Sequence, residues 1–342
     1  MKSAIRLAVL LAGTLSGFAA HAAEPSAHYR QLIVAARHLD DRALREATLD
    51  GLSSQTCIQH RARLSPDDKA EIIHTLIASG FVSADPSVPE GVFPAVRDEG
   101  SACPRLLQDF TAAPGGNTGS HHDWPGGLVA HEAFNLKVAM ALTRLYRQEG
   151  GETIDPDTVS AAVLWHDWAK ALIFTWKPDG SLPEEVQIAG TGAHHILGLA
   201  ETLSRGLPPE VVVAQACAHN ADQVRVLNWI RAAAIIARTP PEVVARLEAQ
   251  AKAGPSRACL IDNAADANWV HAEAAVHSAD GALREEAAHF GYDPDDQARY
   301  RTAYRNPVLR ELGADRLQAL RQTRGEAGVR RALESLRCKG VM

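Results

Sequence analysis

A histidine–aspartate doublet is the feature of this sequence with the clearest chemistry. It stands in His166-Asp167-Trp168-Ala169-Lys170, within an apolar helical context, and isolated histidines flank it at His131, His195 and His219. Imidazole nitrogen and carboxylate oxygen are ligands that several divalent metals share. Histidines and a carboxylate gathered from neighbouring helices therefore predict a centre of one or two metal ions.

The elements that position these side chains are predicted to be helices. Apolar residues recur at three- and four-residue intervals through most of the chain, and one such segment, residues 157–172, carries the doublet. On a single helix Lys170 would lie on the same side as His166 and Asp167. Each interval between the candidate ligands has room for about one helix and its connection, so the ligands can project inward from successive helices. The fold class is therefore predicted to be all-α.

Two segments depart from the helical pattern. Residues 173–176 and 185–188, with turn residues at 177–180 between them, predict a short β-hairpin insertion near the site. Residues 85–127 are rich in proline and glycine and predict a long loop before the main bundle. His121-His122-Asp123 lies in this loop, where it would supply a substrate contact or a proton donor, or form an exposed polar segment.

The first 22 residues have the pattern of a signal peptide. Lys2 and Arg6 precede an uncharged run, Leu7–Ala20, and Ala20-His21-Ala22 follows as a cleavage site. The run is shorter than the roughly 20 residues that a bilayer-spanning helix needs. The mature protein is therefore expected to be periplasmic or secreted, with no membrane association after cleavage.

Charge and cysteine content limit the partners. The net charge is −6, from 41 acidic and 35 basic residues, so nucleic acid is not expected as a partner, and a small molecule is the expected partner. The oligomeric state is left open. Five cysteines do not make a dense disulfide framework, but a Cys57–Cys103 bridge is compatible with an oxidising compartment and leaves at least one thiol free.

The motifs resemble those of the HD-domain superfamily, helical metal-dependent phosphohydrolases named for their His-Asp doublet. Residues 125–131, Pro-Gly-Gly-Leu-Val-Ala-His, look like the glycine-glycine-leucine approach to the family's first histidine ligand, and residues 166–170 are similar to its His-Asp-x-x-Lys signature. Residues 193–198 and 215–220 are similar to its third and fourth histidine helices. The resemblance covers roughly residues 121–270 and is stronger at the first two motifs.

The resemblance implies a centre of two divalent ions, which would be Mn, Fe, Ni, Co or Zn. The implied ligands of the first ion are His131, His166, Asp167 and Asp266, and those of the second are His195, His219 and Asp167, which bridges the two. A hydroxide between the ions would attack the phosphoester, and Lys170 would orient Asp167 or hold a phosphate. Asp167 and Lys170 are thus the catalytic candidates.

Two of these assignments have alternatives nearby in the sequence. Asp266 is the preferred last ligand, with Asp262 and Asp222 as alternatives. His195 is preferred to His194, because Ile-Leu-Gly follows it as in the family motif.

The sequence thus predicts four segments and one principal function. The segments are a signal peptide at 1–22, a helical appendage with a Pro/Gly-rich loop at 23–120, an HD-type metal-binding domain at 121–285 and a C-terminal helical extension at 286–342. The principal function is an exported metal-dependent phosphohydrolase that cleaves a small phosphoester or nucleotide. A di-iron oxygenase of the same fold and a non-catalytic metal-binding helical module are the alternatives.

Overall fold

The computed structural model describes residues 26–151 and 153–342. Within these ranges the chain is mostly α-helical, with one small two-stranded hairpin, which confirms the all-α prediction. None of the helices in these ranges has both the length and the apolar character that crossing a membrane requires. The predicted signal peptide, residues 1–22, lies outside the described residues.

The N-terminal part of the described chain is a layer of helices and a long connection. Its helices are α1 (Ala27–Arg37), α2 (Arg42–Gly51), α3 (Pro66–Ala78) and the short α4 (Val88–Val92). A capping box starts α3, since the Ser65 side chain accepts from the Asp68 backbone and the Asp68 side chain accepts from the Ser65 backbone. A disulfide joins Cys57 to Cys103, in agreement with the expected pairing.

A bundle of helices follows and contains the main apolar core. Its members are α5 (Gly127–Gly150), α6 (Pro156–His166), α7 (Lys170–Ile173), α8 (Ala193–Ser204), α9 (Pro209–Ala216), α10 (Gln223–Ile236), α11 (Pro241–Lys252) and α12 (Arg257–Asp266). Asp155 caps α6 and Pro156 occupies its first position. Every residue of α6 from Thr158 to His166 is buried, because this helix is apolar almost all round and lies between α5, α9 and α12.

The C-terminal helices have an apolar cluster of their own. They are α13 (Trp269–Ala287), α14 (Gln297–Tyr300), α15 (Asn306–Leu312) and α16 (Ala314–Cys338), and α13 packs along α16. A π-helical turn, Arg301–Arg305, lies between α14 and α15. Trp124, from the loop before α5, is buried in this cluster, so the C-terminal helices hold that loop.

Two sequence-based expectations are corrected by the structure. The hairpin pairs Gln187–Ile188 (β1) with Thr191–Gly192 (β2), and residues 173–176 are not part of it, because Ile173 ends α7. The segment 157–172 is not one helix either. It ends at His166, and Asp167 serves as the C-cap with φ −109° and ψ 6°, so the doublet stands at a helix end and Lys170 begins a new helix.

Candidate metal centre

The carboxylate of Asp167 is the centre of the cluster, and its two oxygens face different histidines. Oδ2 lies 3.0 Å from Nε2 of His131 and 3.5 Å from Nε2 of His166. Oδ1 lies 3.4 Å from Nε2 of His194 and 3.3 Å from Nε2 of His219. Asp167 is fully buried. One carboxylate therefore has two separate sets of nitrogen donors, one at each oxygen.

Asp266 completes the first set. It is the last residue of α12, and its Oδ1 lies 3.1 Å from Nε2 of His131 and 3.4 Å from Nε2 of His166. His131, His166, Asp167 and Asp266 offer atoms that all lie within 4.8 Å of one another, as do those of Asp167, His194 and His219. These buried groups could bind metal ions.

The other two candidate aspartates do not join either group. Asp222 caps α10 by accepting the backbone N–H of Arg225. Asp262 lies one turn before Asp266 and is buried, but neither of its oxygens has a hydrogen-bond partner within the described chain. The preferred Asp266 is thus the aspartate that the structure places beside His131 and His166.

Helix α8 presents a different histidine to the centre from the one that the sequence favoured. The Nε2 of His194 faces Asp167, and its Nδ1 lies 2.6 Å from Oε1 of Glu185, which orients the ring. His195 is rotated away, and its ring packs against those of His219 and Trp229, with centroids 4.5 and 4.7 Å away. Adjacent helical residues diverge by about 100°, so only one of the two can face the centre.

A close approach of the backbone explains the two glycines before His131. Gly126 has φ +85° as the N-cap of α5, a conformation that glycine adopts easily. A Cβ on Gly127 would come within 1.8 Å of the carbonyl oxygen of His122. The turn thus brings the loop against the start of α5, where His131 stands one turn into the helix.

Lys170 connects this loop to the bridging carboxylate. Its Nζ lies 2.5 Å from Oδ2 of Asp167 and donates to the carbonyl of Gly115 at 2.6 Å. The lysine is only 3% exposed. Its buried charge is therefore compensated by Asp167, and its position makes it a holder of that carboxylate.

The electrostatics of the cluster suit a cation. Burial opposes ionisation of Asp167, yet the charges of Lys170 and His166 hold the pKa of this carboxyl well below its usual range. Burial opposes protonation of His166, yet Glu132 and Asp167 hold the pKa of its imidazole well above the ordinary value. In His194, Glu185 and Asp167 likewise outweigh burial and raise the pKa to about 9. Metal binding here would displace protons from the imidazoles.

The orientation of the imidazoles also fits an ion. His166 donates its Nδ1 hydrogen to the carbonyl of Val163 at 2.7 Å, which turns Nε2 toward the two aspartates. The buried Nε2 atoms of His166 and His194 lie near carboxylate oxygens without the alignment of a hydrogen bond. Nitrogen and oxygen atoms that converge in this way are typical of ligand atoms arranged around a cation.

Two buried acids lie behind the centre: Glu132, which the sequence did not single out, and Asp262, which it offered as an alternative ligand. Glu132 follows His131 on α5, and its Oε2 lies 3.6 Å from Nδ1 of His166. Burial raises the pKa of Glu132 to about 7 and holds the pKa of Asp262 well above its usual range. Glu132 directly follows a candidate ligand, but only the packing shows that it is buried.

The loop histidines lie at the edge of the centre. The rings of His121 and His122 have centroids 4.9 and 5.2 Å from that of His131, and the three side chains form another group of potential ligands. Asp123 anchors this loop, because its Oδ1 lies 2.7 Å from Nη2 of Arg305 and its Oδ2 accepts the N–H of Gly119. The π-helical turn thus places Arg305 where it holds the loop of His121 and His122.

Comparison with known proteins identifies a distant relative. No family model matches the chain, and no solved structure matches it either. A dihydroneopterin 2',3'-cyclic phosphate phosphodiesterase from Methanocaldococcus jannaschii is 28% identical over 99 residues, which cover 29% of this chain and 39% of the relative. The match therefore spans well under half of the relative's length. This similarity supports a hydrolase activity in general.

Proposed function

We propose that this protein is a metal-dependent phosphohydrolase with two divalent ions bridged by Asp167. The observation that carries the proposal is the division of the two Asp167 oxygens between two sets of histidines, at 3.0–3.5 Å and 3.3–3.4 Å. A carboxylate with donors at both oxygens is suited to hold two ions side by side. The similarity to a phosphodiesterase supports the same chemistry.

The proposed ligand sets follow the observed contacts. The set at Oδ2 is His131, His166 and Asp266, and the set at Oδ1 is His194 and His219. His194 thus replaces His195, which the sequence motif favoured. The identity of the ions, among Mn, Fe, Ni, Co and Zn, is left to experiment because nitrogen and oxygen donors accept all of them.

The residues of the chain have distinct roles in this proposal. When bound, a pair of divalent ions supplies positive charge that activates water and offsets the charge developing on a phosphoryl group. Lys170 fixes Asp167 through a contact of 2.5 Å, and Glu185 fixes His194 through one of 2.6 Å. These contacts hold the donors in place before the substrate arrives, so little reorganisation is needed during the reaction.

The disulfides support the further proposal that the protein works outside a reducing cytoplasm. Cys57 pairs with Cys103 and Cys217 with Cys259, while Cys338 is free. Structural disulfides form and persist in oxidising compartments. Their presence agrees with the export that the N-terminal sequence suggests.

The test is metal-dependent turnover of phosphoesters by the purified protein. The chelated protein would be reloaded with each of the five metals and offered p-nitrophenyl phosphate, bis-p-nitrophenyl phosphate and a 2',3'-cyclic nucleotide, because the relative is named for a cyclic phosphate. We expect turnover that requires metal. Lys170→Met should keep the metal but reduce turnover, whereas Asp222→Asn, which changes a carboxylate outside the cluster, should alter neither.

Three results would contradict the proposal. Oxygen consumption by the iron-loaded protein, without phosphoester cleavage, would favour the oxygenase. Metal binding without phosphoester cleavage or oxygen consumption would favour the non-catalytic metal-binding helical module, and failure to bind any of the five metals would refute a metal-dependent function altogether.

A further inference from the structure

A cavity of about 510 Å³ opens beside the candidate metal centre. His131 and Asn135 line its inner end. The Asn135 amide lies 3.0 Å from Nε2 of His131 and donates to Oδ1 of Asp266 at 3.3 Å, so the cavity reaches the first ligand set. Its volume is within the range of small-molecule sites. A larger recess of about 900 Å³, between α3, α10 and α11, contains none of the metal-centre residues.

Aromatic side chains line this cavity and remain exposed. Trp269, in the first turn of α13, is 41% exposed, and Phe134 on α5 is 52% exposed. Trp124 lines the same cavity, and the Trp269 ring has its centroid 6.1 Å from that of His121. Two large apolar rings exposed beside a polar centre leave stacking surface for a bound group.

The charged side chains of the cavity favour an anion. Lys137 from α5 and Arg316 from α16 contribute positive charge, and Asp315 is the carboxylate among the lining residues. The whole chain has a net charge of −6, so this local balance is opposite to the overall one. A phosphoester with its phosphoryl group toward the metals would enter past these cationic groups.

We propose that this cavity binds the organic group of the substrate, and that this group is a planar aromatic ring stacked against Trp269 and Phe134. The inference rests on the proposed function, because it assumes that the phosphoryl group lies at the metal centre. Trp269 and Phe134 then determine specificity, and the C-terminal helices contribute to substrate selection through α13 and the start of α16. The substrate class is therefore phosphoesters whose organic group carries an aromatic ring.

The test compares two phosphonates of the same charge and similar size. 2-Phenylethylphosphonate and 2-cyclohexylethylphosphonate differ in the planarity of the ring, and neither can be hydrolysed. Their binding to the metal-loaded full chain is measured by calorimetry. We expect the aromatic compound to bind about tenfold more tightly, a factor in the range of aromatic pair interactions. Trp269→Leu should reduce this ratio to about twofold or less.

A matched control is available on the same helix. Val270 is 53% exposed and adjacent to Trp269, but it does not line the cavity. Val270→Ala should leave both affinities unchanged. Equal binding of the two phosphonates, or a ratio that Trp269→Leu does not alter, would overturn the inference and leave the proposed function standing. If neither phosphonate bound the metal-loaded protein, phosphoryl recognition itself would be absent and both proposals would fail.

Discussion

Replacement of Asp167 by alanine should have two separable effects, one on metal content and one on stability. Because each oxygen faces its own set of histidines, Asp167→Ala should reduce the metal content from about two ions per chain to near zero. His219→Ala, which affects contacts at Oδ1, should reduce it only to about one. Metal content is measured by elemental analysis, with protein concentration determined on the same sample.

The effect on stability comes from Lys170, which loses its carboxylate partner. At the observed separation of 2.5 Å, an effective dielectric constant near 20 gives an attraction of about 7 kcal/mol before any desolvation cost. Breaking a buried ion pair by removing one partner typically costs about 3–5 kcal/mol. We expect that loss in the free energy of unfolding, measured by urea denaturation with a chelator present so that bound metal does not contribute.

A double variant distinguishes ligand loss from misfolding. Asp167→Ala/Lys170→Met removes the uncompensated charge together with the carboxylate, so it should recover most of the lost stability while still binding almost no metal. If the double variant were stable and bound about two ions, the bridging role of Asp167 would be refuted. Retention of one ion would restrict Asp167 to a single site.

Three further predictions follow from individual contacts. His194→Ala should lower the metal content to about one ion per chain. His195→Ala should keep both ions and lower the thermal stability, because His195 packs on aromatic rings and does not face Asp167. Elemental analysis and thermal denaturation measure these two effects. Burial holds the pKa of His60 below its ordinary value of 6.5 despite its bond to Glu201, so the unfolded chain takes up a proton below pH 6.5 that the folded chain does not. The free energy of unfolding of the wild type should therefore fall as the pH is lowered below 6.5, by up to about 1.4 kcal/mol per pH unit, relative to that of His60→Gln in urea titrations. Arg305→Ala should lower the free energy of unfolding by about 3–5 kcal/mol in the same assay, because the buried Asp123 loses its cationic partner. An unchanged urea midpoint would contradict the role of Arg305 in holding the loop.

The sequence predicted the parts of the centre that depend on local motifs. His131, His166 and Asp167 stand in recognisable patterns, and the structure brings them together with Asp266. The choice between His194 and His195 could not be made reliably, because it depends on the rotation of α8 about its own axis. That rotation is set by packing and by the contact of His194 with Glu185, neither of which is visible in the motif.

Long-range contacts also could not be predicted from the sequence. Arg305 lies 182 positions from Asp123, yet its guanidinium holds the loop beside the centre. An arginine in a predicted C-terminal extension gives no sign in the sequence that it pairs with a distant carboxylate. The helical periodicity predicted most of the bundle correctly. It also predicted that one helix continues past Asp167, because an apolar run contains no signal for the turn that interrupts the helix there.

The disulfide between Cys217 and Cys259 has a consequence for how the centre is assembled. Cys217 directly follows α9, two residues before His219, and Cys259 lies near the start of α12, which ends at Asp266. The bond therefore links the segment of His219 covalently to that of Asp266 without using any of the candidate ligand atoms. Hydrogen bonds from the Asn263 amide to the carbonyls of Cys217 and Ala218 hold the same two segments together, and the disulfide adds a covalent restraint that does not depend on metal. We therefore expect reduction of this pair of non-ligand cysteines to weaken metal binding.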